Sequence, residues 1–505
     1  MKKTIVLLLL TIGLTATSAF SQSRHYTSQS LGMGSGGTAY VSGFNSNFIN
    51  PANLMLENQR ANVEIGLFNF GLKAGGTLAN VAVYNKYLTS NNIITSENVG
   101  TSNESGIRYD MLNEWFGESS ANERELSTTV SIAPIGVSYR GKKQAFSLAT
   151  RIRITEDLTI NKGMAELLTY GLDSDKFSTR TPVGFSTNTI SFAEISIGYS
   201  RELDFFEIPD IAFAEDIRLF AGIAPKYLYG IYTTSMDFNS FFSMQDNNIR
   251  HEFNYSLETI GTLSTQLQAY EEAYDLDNDA ELGDYVDTGE LTDDFSSPQA
   301  TGLGMDIGVT AQMDVSSLAV PLFIKAPKRL TVSMSLTDLG SLNFDQDASS
   351  VFGEGDFTYT GAGNDDDLDS FFSNLSDSLQ NDVYGQFNSD QTSGIEYSLP
   401  SMFNFGTSLQ MGNLLLALDY GVGFNNNGLN SDRSVLNLGA QYKILGFLPI
   451  RVGTRVGGYS SATYSVGLGL DFNNLELSFG AATVSNSESY GSSLGAAWSG
   501  LVIRF

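Results

Sequence analysis

The stretch Ile135-Gly136-Val137-Ser138-Tyr139-Arg140-Gly141-Lys142-Lys143-Gln144-Ala145-Phe146-Ser147-Leu148-Ala149-Thr150-Arg151-Ile152-Arg153-Ile154 reads as two strands joined by the polar turn Gly141-Lys142-Lys143-Gln144. Side chains alternate along a strand, so Phe146, Leu148, Ile152 and Ile154 share one face while Ser147, Ala149, Arg151 and Arg153 share the other. An apolar face backed by a polar, charged one marks a sheet that separates two different surroundings. The same alternation returns in Val63-Ile65-Leu67, Leu219-Ala221-Ile223, Leu303-Met305-Ile307-Val309, Leu330-Val332-Met334-Leu336 and Leu414-Leu416-Leu418-Tyr420-Val422. Their opposite faces carry Asp306, Ser333, Ser335 and Asp419. With further segments near 128–140, 189–200, 402–411, 434–443, 449–459, 462–472, 475–484 and 491–505, the reading gives about fourteen strands, an even number of the kind that closes a transmembrane antiparallel β-barrel.

The connections sharpen this expectation. Even-numbered strands end in short turns, as at 141–144, Gly412-Asn413 and Asn473-Asn474, whereas the early odd-numbered ones lead into long segments near 74–127, 155–188, 232–301 and 341–401. Such asymmetry between two rims suits a membrane barrel with both termini on the periplasmic side and long loops outside. The chain ends Leu501-Val502-Ile503-Arg504-Phe505, with Leu501, Ile503 and the terminal Phe505 on one face. This ending resembles the carboxy-terminal insertion signal of outer-membrane barrels, which makes the barrel-assembly machinery and outer-membrane lipid expected partners.

Composition narrows the functional classes. Fifty Gly, 23 Tyr and 33 Phe beside 10 Pro and 17% charged residues favour glycine-punctuated, aromatic-rich strands. The absence of Cys removes disulfides, thiol catalysis and Cys-based metal sites, and leaves His chemistry to His25 and His251, neither of which sits beside an evident nucleophile. No enzyme is expected. A formal charge of −28 opposes binding to nucleic acid. Residues 1–21 read as a signal peptide: Lys2 and Lys3 form its positive end, Thr4 to Ala16 its apolar stretch, and Ala19-Phe20-Ser21 its small-residue cleavage site. No Cys follows the cleavage point, so no lipoprotein anchor is expected, and no later apolar run reaches the roughly 18 residues a spanning helix needs.

Leu31-Gly32-Met33-Gly34-Ser35-Gly36-Gly37-Thr38-Ala39-Tyr40-Val41, followed by Asn50-Pro51-Ala52-Asn53-Leu54, resembles the start of FadL-type transporters, the OMPP/FadL/TodX superfamily. Leu399-Pro400 and Ile450-Arg451-Val452-Gly453 also look like that superfamily. Related barrels include PorV-type proteins of type IX secretion and outer-membrane relatives that form domains of unknown function, to which this acidic-looped chain looks closest. The resemblance implies fourteen strands and a hatch at 22–58 that plugs a barrel at 59–505 from the periplasmic side. It makes Gly32, Gly34, Gly37, Asn50, Pro51, Ala52 and Asn53 the hatch and gate residues. The function it implies is a channel for uptake of small hydrophobic molecules, with a non-transporting scaffold or shuttle for secretion-system proteins as the alternative.

Other motifs are weighed against plainer readings. Gly32-x-Gly34-x-x-Gly37 matches a dinucleotide fingerprint but follows no strand, and Gly491-x-Ser493-x-Gly495 matches a nucleophile elbow but precedes no helix. Asp275, Asp277 and Asp279 have the spacing of Ca2+ ligands, yet Ala280 and Val286 stand where a calcium loop needs Gly and a bidentate Glu. A solvated acidic loop is expected there, Ca2+ is the alternative, and no other cofactor is implied. Leu257, Ile260, Leu263, Leu267 and Tyr270, like Phe371, Phe372, Leu375 and Leu379, approximate helical spacing and suggest short helices over the outer mouth. Arg140, Arg151, Arg153, Lys226 and Arg451 fall on polar faces with Asp306, Asp338, Asp419 and Asp471, so ion pairs within the lumen are expected.

Overall fold

The computed structural model describes residues 25–56, 62–87, 106–170, 175–204, 210, 213–245, 248–276, 282–285, 299–317, 326–345, 348–360, 388–391, 394–425, 432–457, 460–472, 474–484 and 492–505. Fourteen staves form the wall. They are β1 (Val63–Gly76), β2 (Glu123–Arg140), β3 (Gln144–Asn161), β4 (Thr181–Glu202), β5 (Glu215–Gln245), β6 (Ala300–Asp314) and β7 (Lys328–Phe344). The second half holds β8 (Met402–Met411), β9 (Leu414–Gly423), β10 (Val435–Ile444), β11 (Leu448–Gly457), β12 (Ser460–Phe472), β13 (Leu475–Val484) and β14, which runs in two pieces, Ser492–Trp498 and Leu501–Arg504. Each stave pairs antiparallel with the next, and β14 returns to β1, with Phe70 opposite Trp498 and Ile65 opposite Ile503. The terminal Phe505 completes the seam: its carbonyl accepts from the Asn62 and Val63 N–H groups at 2.9 and 3.1 Å.

The alternation that marks the strands also sorts their faces. Leu303, Val466 and Phe479 are 73%, 60% and 61% exposed, and Ile135, Leu148, Ile197, Val309, Val452, Leu468 and Leu494 stand outward with them. An apolar exterior of this extent has no place in water and is the lipid-facing surface of a transmembrane barrel. Tyr139, Phe146, Tyr199, Tyr442, Phe472 and Phe505 gather near the short-turn rim, where amphipathic rings suit a membrane interface; Phe146 and Tyr199 lie 5.2 Å apart there. No helix among the described residues is long and apolar enough to cross a membrane, so the sheet is the wall.

Several segments expected as loops are strand. β3 continues to Asn161 and β4 starts at Thr181, inside the span 155–188 read as a connection. β5 runs on to Gln245 and pairs with a further strand at Asn248–Thr259, which carries His251 and Leu257; that strand pairs in turn with Ser349–Thr360. Beyond the lipid, both faces of a strand meet water or other protein. The apolar stripe then disappears, as at Thr155-Glu156-Asp157, and with it the signal that sequence periodicity reads. For the same reason the helical spacing from Leu257 is only partly helix, which begins at Gly261 and ends at Leu276. The apolar positions 371, 372, 375 and 379 lie outside the described residues.

Val466 stands in mid-stave with its side chain in the apolar band. Val466→Arg is expected to cost the folded barrel about 2–4 kcal/mol if the position lies near the bilayer midplane, read from denaturant-dependent refolding into lipid vesicles, with the apolar exchange Val466→Leu as the near-neutral control.

Candidate functional site

Residues 25–56 lie inside the barrel. Thr27 caps the short helix Ser28–Gly32 by accepting from the Ser30 N–H, and two 3-10 turns follow, Gly43–Phe48 and Pro51–Met55. Asn50 caps the second turn by accepting from the Ala52 N–H at 3.1 Å, which leaves Pro51 at a first-turn position where its missing N–H is harmless. Asn50 and Asn53 then tie the segment to itself and to the wall. Their amides donate to the Thr38 carbonyl at 3.0 and 2.9 Å, Asn50 donates to Thr310 Oγ1 at 3.0 Å, and that hydroxyl donates to Asn53 Oδ1 at 2.7 Å. Around the ring, Gly34 N–H donates to Ser465 Oγ at 2.8 Å, Thr38 N–H to Asp419 Oδ1 at 2.8 Å, Ser335 Oγ to the Ile49 carbonyl at 2.7 Å, and Arg140 to the Leu56 carbonyl at 3.1 Å.

Small residues on the inner wall make this seat possible. Gly66 on β1 pairs with Gly136 on β2, and both lie flat against the Phe44 ring. Gly222 faces Gly308 across β5 and β6, beneath Pro51, Ala52 and Asn50; Gly439 faces Gly453 across β10 and β11, beneath Met33 and Gly34; Gly467 faces Gly480 across β12 and β13, beneath Gly32 and Ser28. A Cβ at Gly32 would lie 3.0 Å from the Gly467 Cα, and Gly34 adopts φ +86°, so this glycine run serves close approach rather than nucleotide binding. Sequence periodicity flagged the wall's glycines only as abundant. Their position on the polar face of staves that otherwise alternate cleanly was the available signal.

One register step above the hatch lies a layer of charge. Arg151 grips Glu194 through Nε at 3.0 Å and Nη2 at 2.7 Å; Arg153 holds Asp338 at 2.9 Å and also pairs with Glu194; Lys226 reaches Asp338 at 2.6 Å and Asp306 at 2.8 Å. All six are buried. The hatch meets them with an aromatic face: Arg151 lies 4.3 Å from the centre of the Phe48 ring and Lys226 lies 5.5 Å from it. Above them Ile190, Phe192, Leu228, Leu342, Phe344 and Leu399 form an apolar cluster over the same half of the lumen.

Five of the charges expected to face the lumen, Arg151, Arg153, Lys226, Asp306 and Asp338, therefore meet in one cluster. Glu194 is its centre and was missed, because Ile190-Ser191-Phe192-Ala193-Glu194 puts it in line with apolar residues and hides the polar face. Asp419 holds the hatch rather than a cation of that cluster. Arg451 sits at the short-turn side, bonded to Gln441 at 2.7 Å and 3.5 Å from Glu476, within a second group in which Arg504 reaches Glu64 at 3.0 Å and Asp471 at 2.9 Å. Gln441, Arg451, Asp471, Glu476 and Arg504 of that group line a cleft of about 460 Å3 beside Gln29, Tyr40 and Ser42 of the hatch. Leu501 and Ile503 are half-buried on the outward face of β14, and Phe505 is exposed. Asp277 and Asp279 lie outside the described residues, as does the side chain of Asp275.

Removing one partner of a buried ion group strands the others. Glu194→Ala leaves two guanidiniums short of acceptors and is expected to cost about 3–5 kcal/mol by denaturant melts, whereas Lys443→Ala on the half-exposed rim should cost little. His25 supplies a second test. Burial, reinforced by Arg151, pushes its imidazole down from 6.5 to about 3, while Asn45 Oδ1 lies 2.9 Å from its Nε2. The unfolded segment then binds the proton more tightly, so hatch docking is fully stable above pH 6.5 and loses stability as pH falls from 6.5 towards 3. Amide protection factors across residues 25–56, with the intrinsic slowing of exchange in acid divided out, should fall between pH 7 and pH 4, and that fall should flatten in His25→Gln.

Comparison with known proteins gives a family. No curated protein matches the chain. Among solved structures it is similar to the P. putida toluene transporter TodX, at 10% identity, covering 95% of this chain and 99% of that one, with a TM-score of 0.47. It is also similar to the Ralstonia pickettii toluene transporter TbuX (12% identity; 95% and 99% covered; TM-score 0.42) and to a Pseudomonas aeruginosa FadL homologue (12%; 96% and 99%; 0.40). The profile of a family of unknown function, DUF5723, matches residues 77–482, which is most of the barrel, and the chain belongs to that family.

Proposed function

We propose that this outer-membrane barrel is a gated channel for the uptake of small hydrophobic molecules, with residues 22–58 as its hatch. The observation that carries the reading is the seat of residues 25–56: a separate segment laid across the lumen and held by individual side-chain hydrogen bonds, not woven into the wall. Bonds of that kind contribute about 1 kcal/mol each, so the segment is specific in place yet separable from it. On this reading the short-turn rim and both termini face the periplasm, the signal peptide 1–21 has been removed, and the long connections face outward. The apolar cluster around Phe192, Leu228 and Phe344 is then the surface an apolar permeant would meet above the charged layer.

A second reading has its own observation. The strands Asn248–Thr259, Ser349–Thr360 and Asn388–Gln391 extend β5 into a sheet beyond the closed wall, a platform that a simple pore does not need and that a scaffold for secretion-system partners would use. Affinity purification that recovers the barrel without a stoichiometric partner sinks this alternative.

Single-channel conductance in planar bilayers separates the two. The mature protein is expected to be nearly silent and a variant lacking residues 22–58 to conduct. Silence of both, with insertion proven by protease protection, overturns the channel.

A further inference from the structure

The hatch leaves part of the short-turn mouth of the barrel open. The cleft of about 460 Å3 that remains there is of a size that holds a small molecule. Its walls come from the ends of staves β6 to β14: Asp314 closes β6, Lys328 opens β7, Asn413 sits in the turn after β8, Gly446 in the turn after β10, and Arg504 ends β14. Gln29, Tyr40 and Ser42 of the hatch complete it. Apart from Tyr40, Pro327, Leu415 and two glycines, every lining residue is polar or charged, so the cleft suits a hydrophilic occupant.

The charges on the β10 to β14 side are graded in depth. Side-chain exposure falls from 31% at Lys443 through 14% at Asp471 and Glu476 and 8% at Arg504 to 2% at Arg451, so Arg451 is the floor of the group. The carboxylates above it are engaged. Asp471 pairs with Lys443 and accepts from Arg504 at 2.9 Å, and Glu476 Oε2 is held by Arg504. What Glu476 has left for Arg451 is Oε1, which already accepts from Ser478 Oγ at 3.1 Å and lies 3.5 Å from Arg451 Nη2. Otherwise Arg451 is held by a neutral amide: its Nε donates to Gln441 Oε1 at 2.7 Å, and its Nη1 has no hydrogen-bond partner among the described residues. A buried guanidinium whose donors find one close neutral acceptor and one distant, shared carboxylate is short of the acceptors that burial demands.

We propose that this cleft is a binding site for a small hydrophilic molecule bearing a carboxylate or phosphate group, whose oxygens the Arg451 guanidinium receives at the floor. The planar fork of an arginine matches either group, and such charge-assisted bonds supply the acceptors that Arg451 lacks. The charge of the lining favours the same class. Five cations line the cleft against three carboxylates, in a chain whose formal charge is −28, and cations stay in excess when Glu64, which reaches Arg504 from outside the cleft, is included. Gln441 Oε1, which holds Arg451, also accepts from Gln29 of the hatch at 3.4 Å, so the occupant bears on a contact between hatch and wall. This site stands apart from the channel reading, since a sealed barrel can hold the ligand and an open one can lack it.

The test is calorimetric titration of succinate, and separately of inorganic phosphate, into the refolded mature protein in detergent at pH 7 in chloride-free buffer of low ionic strength, with neutral succinamide as the control. Saturable binding of at least one anion and none of succinamide is expected, and the anion that binds identifies the acidic group. Affinity should fall about tenfold or more in Arg451→Gln, which removes the charged donor. The thermal midpoint should rise with that anion in the native sequence and not in Arg451→Gln. Should that variant fail to refold, Lys328→Glu, which reverses a charge lining the cleft, takes its place with weakened binding expected. Absence of saturable binding of both anions to an intact barrel, equal binding of succinamide, or undiminished binding by the substituted protein overturns the proposal.

Discussion

The pairing of Leu501–Arg504 with Glu64–Leu67 closes the sheet, and the remaining architecture depends on that closure. A closed antiparallel sheet has no edge, so its ladder satisfies every stave within the wall and the protein can face lipid without an exposed peptide group. Closure also creates an interior. Phe505 pins the seam through Asn62 and Val63, while Arg504, one residue earlier, turns inward to Glu64 and Asp471. The residues that complete the wall therefore also begin to organise its lumen.

An interior of this width has to be filled, and here it is filled largely by the chain's own beginning. Cross-strand pairs of glycine let the backbone of residues 25–56 lie directly against the backbone of the wall, and the pairs recur at one height around the barrel. Asn50 and Asn53 then do the work of two strands, joining Thr38, Val41 and Thr310 through side-chain amides. Such a seat is close-fitting without being continuous with the sheet, and this is the physical basis for treating the segment as a hatch.

The charged layer follows from the same geometry. Arg151, Arg153 and Lys226 lie deep enough that their desolvation has to be offset by Glu194, Asp306 and Asp338, and Phe48 covers them from the hatch side. The group is thus a joint between wall and hatch as much as a stabiliser of the wall.

Read alone, the sequence determined the kind of fold. The alternation in Phe146 to Ile154, the short turns after even strands and the outward residues Leu501, Ile503 and Phe505 all follow from neighbours in the chain, because side-chain alternation is a local property of an extended backbone. It also indicated that Arg151, Arg153, Lys226 and Asp306 face inward, since facing is again local. The staves beyond the lipid, from Thr155 to Asn161 and from Gly230 to Gln245, were illegible because water or protein on both faces erases the apolar stripe. Tertiary structure alone decided which inward residues meet: that Glu194 sits between two arginines, that Asp419 accepts the Thr38 N–H, and that Lys73 lies over the Tyr26 ring. Those partnerships cross the lumen between staves far apart in sequence. They depend on the tilt and register adopted when the sheet closes, which no local pattern encodes.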